Sequence, residues 1–168
     1  MCINIRQERS GDLESICEVT VAAFLSAPHT AHTEQFIVKA LRDSGVLSAS
    51  LVAEHSGRIV GHVALSPVTI SDGSVGWYGL GPISVVPDEQ GKGIGSLLMN
   101  AALAELKELG ANGCVLLGDP NYYHRFGFEQ VAGLVLPDVP PEYFQALLLQ
   151  GTYPKGTVTY HESFSAQG

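Results

Sequence analysis

The stretch Val85-Val86-Pro87-Asp88-Glu89-Gln90-Gly91-Lys92-Gly93-Ile94-Gly95 decides how this chain is read. An apolar strand from Trp77 to Val86 ends in a turn, crosses glycines and opens a periodic helix. Ile94, Leu97, Leu98, Ala101, Ala102, Leu106 and Leu109 keep one apolar face, and Gly110 closes it. Gly113 to Leu117 then reads as a short strand buried on both faces. These lengths suit a strand–helix–strand crossover, so the two strands are expected to run parallel.

The loop between strand and helix is built for an anion. Gly91, Gly93 and Gly95 let the backbone turn tightly and keep side chains out of the way. The first N–H groups of the helix lack internal acceptors, and its dipole reinforces them. Three phosphate patterns compete here. A P-loop needs Ser or Thr after Gly-Lys, but Lys92 is followed by Gly93. A dinucleotide fingerprint has Ser96 at its third glycine position and no acidic residue among Gly113 to Leu117, so it also fits poorly. The third, Gln/Arg-x-x-Gly-x-Gly/Ala, is matched by Gln90, Gly93 and Gly95. A glycine turn that merely caps the helix is the plain alternative.

Outward from this unit the pattern stays mixed. Ile3 and Ile5 suggest an opening strand. Ser10-Gly11-Asp12 offers capping groups for a helix carrying Leu13, Ile16, Cys17, Val21 and Phe24, broken at Ala27-Pro28. A second helix is predicted over Glu34 to Arg42, ended by Gly45. Leu51 to Ala53 and Ile59 to Ser66 flank Ser56-Gly57 as a hairpin, and Asp72-Gly73 marks the next turn. Gly79, Gly81 and Pro82 interrupt the fourth strand, which signals a bulge or a close approach. A short helix near Asn121 to Arg125 and strands near Phe128, Phe144 to Leu149 and Val158 to Tyr160 complete the sheet. No repeat or linker divides the 168 residues, so residues 1–168 read as one domain.

The formal net charge of -8 argues against nucleic-acid binding, which needs clustered Lys and Arg. No apolar run approaches a membrane span, and Met1 to Arg9 lacks a signal-peptide core. Cys2, Cys17 and Cys114 have neither CxxC nor zinc spacing and read as reduced, mostly buried thiols. A cytoplasmic location is expected. No metal-ligand spacing joins the histidines, and no GxSxG elbow presents a nucleophile.

With Gln90, Gly93 and Gly95 in place after Val85-Val86-Pro87, the chain resembles the GNAT superfamily of N-acetyltransferases. Asn121-Tyr122-Tyr123-His124-Arg125-Phe126-Gly127-Phe128 resembles that family's aromatic-Tyr-x-x-x-Gly-Phe segment. Gly79-Leu80-Gly81-Pro82 and Gly118-Asp119-Pro120 with the two tyrosines resemble a YhbS-like bacterial subgroup. The lead-in Gly118 to Asn121 is shorter than the family's commonest pattern. The resemblance implies an α/β (α+β) fold: a mixed, mostly antiparallel central sheet flanked by helices and splayed between its fourth and fifth strands.

The same resemblance implies acetyl-CoA as cosubstrate and no metal. It assigns cofactor binding to Ile83, Ser84 and Val85, whose main chain pairs with the pantetheine arm. It assigns the pyrophosphate to Gln90, Gly91, Lys92, Gly93, Ile94, Gly95 and Ser96, and places Tyr123 near the sulfur. The acceptor would be a small-molecule amine or a protein or peptide amine. A homodimer is compatible with such a domain. A non-catalytic coenzyme A sensor or interaction module on the same fold is the rival reading.

Transfer to an amine also requires a base. Glu54, His62, Glu34 and His32 are the candidates, with Glu54 and His62 favoured by their place on the central hairpin. Glu54 is taken as catalytic together with Tyr123. Each has a bland alternative as a solvated or structurally satisfied side chain. A tyrosine near ~10 protonating a thiolate near ~8.5 runs uphill by roughly 2 kcal/mol, so Tyr123 suits a hydrogen bond as well as a proton transfer.

Overall fold

The computed structural model describes residues 2–25 and 32–167. The chain forms β1 (Ile3–Gln7), α1 (Leu13–Phe24), α2 (Glu34–Asp43), β2 (Ala49–His55), β3 (Arg58–Ile70), β4 (Trp77–Val85), α3 (Ile94–Glu108) and β5 (Gly113–Leu117). It continues through α4 (Pro120–Tyr123), β6 (Leu134–Val135), β7 (Phe144–Leu148) and β8 (Gly156–Tyr160). The break expected at Ala27-Pro28 lies outside the described residues.

The sheet runs β1-β2-β3-β4-β5-β7, with β8 pairing the far end of β3. Every neighbour on that path is antiparallel except β4 and β5, the crossover pair around α3. Alternation along the hairpin separates two faces. Leu51, Ala53, Val63 and Leu65 meet Ile94, Leu98, Ala102 and Leu106 of α3 in one core. Val52, pointing the other way, packs with Ile16 of α1 and Val38 of α2. A second apolar cluster joins Trp77, Val115, Phe144 and Val158 around β8.

The splay has a visible origin. β4 and β5 pair only at Trp77↔Gly113, Tyr78↔Cys114 and Gly79↔Val115. From Val63 to Leu65, β3 advances two residues while β4 advances three, from Ile83 back to Leu80. The surplus residue falls at Gly81-Pro82, whose peptide is cis. Proline has no N–H for a ladder, so pairing stops and β4 bends away. Leu80 to Val85 thus presents a backbone edge with no β5 partner.

Several expectations are corrected. Leu97 and Leu109 are 42% and 43% exposed, because the sheet takes only the narrow stripe Ile94, Leu98, Ala102 and Leu106, with Met99 beside it. Cys2 and Cys17 are exposed; Cys114 is buried, and burial raises its thiol pKa. Phe128 is buried, but no strand forms there; Glu129 makes one isolated bridge to Ala146. Two short elements, β6 and the Pro141–Tyr143 turn, carried too few residues for periodicity to reveal.

Candidate active site

Gln90 ties the glycine loop to the strand that feeds it, its Nε2 donating to the Val85 carbonyl at 2.9 Å. Gly93 caps α3 with φ +84°, and Gly91 has φ +78°, both in the left-handed region that L side chains avoid. Leu97 N–H closes the first helical turn onto the Gly93 carbonyl at 3.1 Å. The N–H groups of Ile94, Gly95 and Ser96 have no such internal acceptor. All three residues line a cleft of about 520 Å³.

One wall of that cleft is β4 at Ile83, Ser84 and Val85; the other is Tyr122, Tyr123 and Arg125. A Cβ on Gly95 would lie 3.0 Å from the Tyr122 hydroxyl, so this phenol sits over the helix start. Arg125 stacks 4.6 Å above the Tyr122 ring, and its Nε donates to the Tyr122 carbonyl at 2.9 Å. The arrangement puts a guanidinium, a helix dipole and free N–H groups at one end of the cleft, which suits a phosphate. Lys92, expected to share that role, does not line the cleft. Its Nζ is turned to Glu89 Oε2 at 3.3 Å.

Tyr123 is set by a short, strongly capped helix. Asp119 accepts from Asn121 N–H at 2.9 Å, and Pro120 occupies the first turn. Gly118 must be glycine for this: a Cβ there would overlap the Tyr123 ring. The ring meets Tyr122 edge-on at 4.9 Å and Phe128 at 6.5 Å. Burial, then the nearby Tyr122 and Asp119 charges, push its pKa up to about 12. The group is therefore a neutral hydrogen-bond donor at ordinary pH.

Tyr123 and Ile83 also border a second cavity of about 440 Å³. Its wall combines Phe24, Ile37, Leu116, Tyr160 and Phe164 with one carboxylate, Glu34. Of the four base candidates, Glu34 alone lines a space that Tyr123 shares. His32 lines neither the cleft nor this cavity. Glu54 lies at the register shift in β2, where Arg6 Nη2 holds it at 3.3 Å, and it lines a separate cavity against α1. The structure does not bring it to Tyr123.

His62 is fully buried on the α1/α2 face. The Ser50 hydroxyl donates to the Glu8 carboxylate, so its oxygen accepts from His62 Nε2 at 2.7 Å. Arg42 clamps Glu8 at 2.8 and 2.9 Å. Burial, opposed by Glu8 and aided by Arg42, lowers the His62 pKa from 6.5 to about 4. The unfolded chain therefore binds this proton first as pH falls. Stability should drop by about 3 kcal/mol between pH 6.5 and 4 on this account. Burial works against the Glu8 charge, but the Arg42 and Ser50 hydrogen bonds outweigh it and hold its carboxyl below 4.5. Its contribution is present above that value and is lost only as pH falls through the lowered one. Urea unfolding of His62→Gln should show a flatter pH slope above pH 4; an unchanged slope would remove His62 from this account.

A family model for the acetyltransferase (GNAT) domain matches residues 47–130. Over 113 residues the chain is 36% identical to the uncharacterized N-acetyltransferase YhbS of Escherichia coli (strain K12), covering 67% of this chain and 68% of that protein. The chain belongs to the GNAT acetyltransferase family. A GNAT acetyltransferase from Brucella melitensis, solved in complex with acetyl-CoA, is 46% identical. It superposes with a TM-score of 0.86 over 97% of this chain and 98% of its own. Escherichia coli YhbS in complex with CoA is 32% identical, with a TM-score of 0.84 over 99% and 93% of the two chains.

The GNAT match divides the two spaces unequally. Every residue lining the glycine cleft falls within 47–130, but Phe24, Glu34, Ile37, Tyr160 and Phe164 fall outside it. Among the described residues, no cluster of His, Cys, Asp and Glu could hold a metal ion. No helix among them is long and apolar enough to cross a membrane.

Proposed function

We propose that this chain transfers acetyl from acetyl-CoA to a primary amine by direct attack on the thioester. The observation that carries the reading is the shared wall at Tyr123 and Ile83: an anion-binding cleft on one side, a second cavity on the other. A donor lying along the first meets an acceptor entering through the second at a single point.

In this scheme Gln90, Gly91, Gly93, Ile94, Gly95 and Ser96 hold the pyrophosphate, with Arg125 as the accompanying cation. The free edge of β4 at Ile83, Ser84 and Val85 takes the pantetheine arm as an added strand. The neutral amine attacks the carbonyl carbon, the C–N bond forms, and the carbonyl π pair moves to oxygen. A β4 backbone N–H stabilises that oxyanion. The nitrogen, positively charged after the attack, then gives its proton to water in the acceptor cavity. Collapse breaks the C–S bond, and the thiolate leaves with the electron pair, met by the Tyr123 hydroxyl. The products are the amide and coenzyme A. Glu54 has no part in this scheme.

Free thiol should appear only when both acetyl-CoA and an amine are present. Tight acetyl-CoA binding with no thiol released by any amine would sink the enzymatic reading in favour of a coenzyme A-binding module. A thermal shift with acetyl-CoA and none with ATP or NADH is expected in the same preparation.

A further inference from the structure

We propose that the cavity beyond Tyr123 selects compact apolar primary amines carrying one positive charge, and that Glu34 receives the ammonium. The proposal rests on the acetyltransferase reading and names its acceptor class.

The wall chemistry restricts what can enter. Phe24 and Ile37 come from α1 and α2, Leu116 from β5, and Tyr160 and Phe164 from the C-terminal segment. The Tyr160 and Phe164 rings lie 4.9 Å apart at a tilt, forming an aromatic shelf. Burial raises the Tyr160 pKa, so its hydroxyl stays neutral. Among the described residues, Glu34 is the one charged side chain lining this cavity. About 440 Å³ is the size of a small-molecule pocket.

Each competing acceptor class meets a specific penalty. A polyamine or aminoglycoside would bury a second ammonium against aromatic and aliphatic carbon without a partner. A peptide terminus would bring an amide N–H and C=O for each residue; the short β4 edge from Leu80 to Ile83 can meet one residue of it, and the lining side chains offer few groups for the rest. An arylalkyl or alkyl monoamine leaves nothing unpaired: its chain replaces water along the wall, its cation meets Glu34, and the nitrogen passes that proton to the carboxylate before it attacks as the neutral amine. The protein's net charge of -8 favours a cationic ligand over an anionic one. Because Ile83 and Tyr123 line both spaces, the amine that reaches them meets the cleft.

The test compares 2-phenylethylamine, spermidine and an alanyl tripeptide with saturating acetyl-CoA, reading thiol release. The kcat/KM for 2-phenylethylamine should exceed the other two by about 100-fold or more. Glu34→Gln should raise its KM by about 30-fold, with acetyl-CoA affinity and inhibition by the neutral 2-phenylethanol unchanged. Phe164→Ala gives an independent reading, raising that KM by about tenfold through lost apolar contact. Preference for spermidine or the tripeptide would overturn the acceptor assignment and leave the acetyltransferase reading standing. So would a Glu34→Gln variant with an unaltered KM for the amine. No release with any of the three would overturn the acceptor assignment, and the acetyltransferase reading falls with it only if a wide panel of other amines and peptides also releases no thiol.

Discussion

Tyr123→Phe should lower kcat by about 100-fold while leaving the affinity for acetyl-CoA nearly unchanged. The phenyl ring is retained, so the edge-on contact with Tyr122, the packing on Phe128 and the fit against Gly118 all survive. What disappears is the hydroxyl of a residue that lines both cleft and cavity. With its pKa near 12, the phenol is a poor acid for a thiolate near ~8.5; complete transfer would run uphill by roughly 5 kcal/mol. A hydrogen bond to the developing charge needs no such transfer. The raised value also sets the pH behaviour: the phenol stays protonated until pH nears 12, so Tyr123 should impose no alkaline limb below about pH 10. Steady-state kinetics with thermal denaturation as a folding control decide the matter. An unchanged kcat with a native melting point would remove Tyr123 from the chemistry.

The two halves of the site were not equally legible. The proposed donor half is local: a cradle of backbone N–H groups demands glycines at fixed spacing next to a helix start. Gln90, Gly93 and Gly95 announce that within six positions. The sheet and its crossover followed from the same unit, because Trp77 to Leu117 contains both parallel strands and the helix between them. The proposed acceptor half is a cavity assembled from Phe24, Glu34, Ile37, Tyr160 and Phe164, which share no period and no motif. Only the fold brings them together.

The base candidates show what location on the hairpin leaves open. Strand alternation assigns a side chain to a face, but it cannot say which cavity that face borders. A register shift beside Glu54 and the reach of Arg6 across from β1 took that carboxylate elsewhere. His62 was claimed by Ser50 from the neighbouring strand. Lys92 could have been read better, since Glu89 stands three positions before it at a spacing that pairs charges within a turn. Arg125, by contrast, gains its place through Tyr122, a contact that becomes visible only once α4 is folded.

Gly93→Val should weaken acetyl-CoA binding by about 100-fold, the larger of two separable effects on the loop. A β-branched residue at φ +84° is strained by about 1–2 kcal/mol, and the chain relieves it by rotating toward negative φ. That rotation swings the N–H groups at the start of α3 off the cleft, and each hydrogen bond to a charged group is worth about 1.5–3 kcal/mol. The fold itself should survive, because a Cβ at Gly93 meets no heavy atom within 4 Å. Two companions separate backbone from side-chain contributions in the same titration. Lys92→Ala should change affinity by no more than about threefold, since its ammonium is already turned to Glu89 and away from the cleft. Arg125→Ala should cost about tenfold, shrinking as salt is raised, because a guanidinium at a phosphate acts through charge. Calorimetry with acetyl-CoA at low and high salt ranks the three. If Lys92→Ala were the most damaging, the anion would be held by side-chain charge, and the assignment of the pyrophosphate to the helix start would fall.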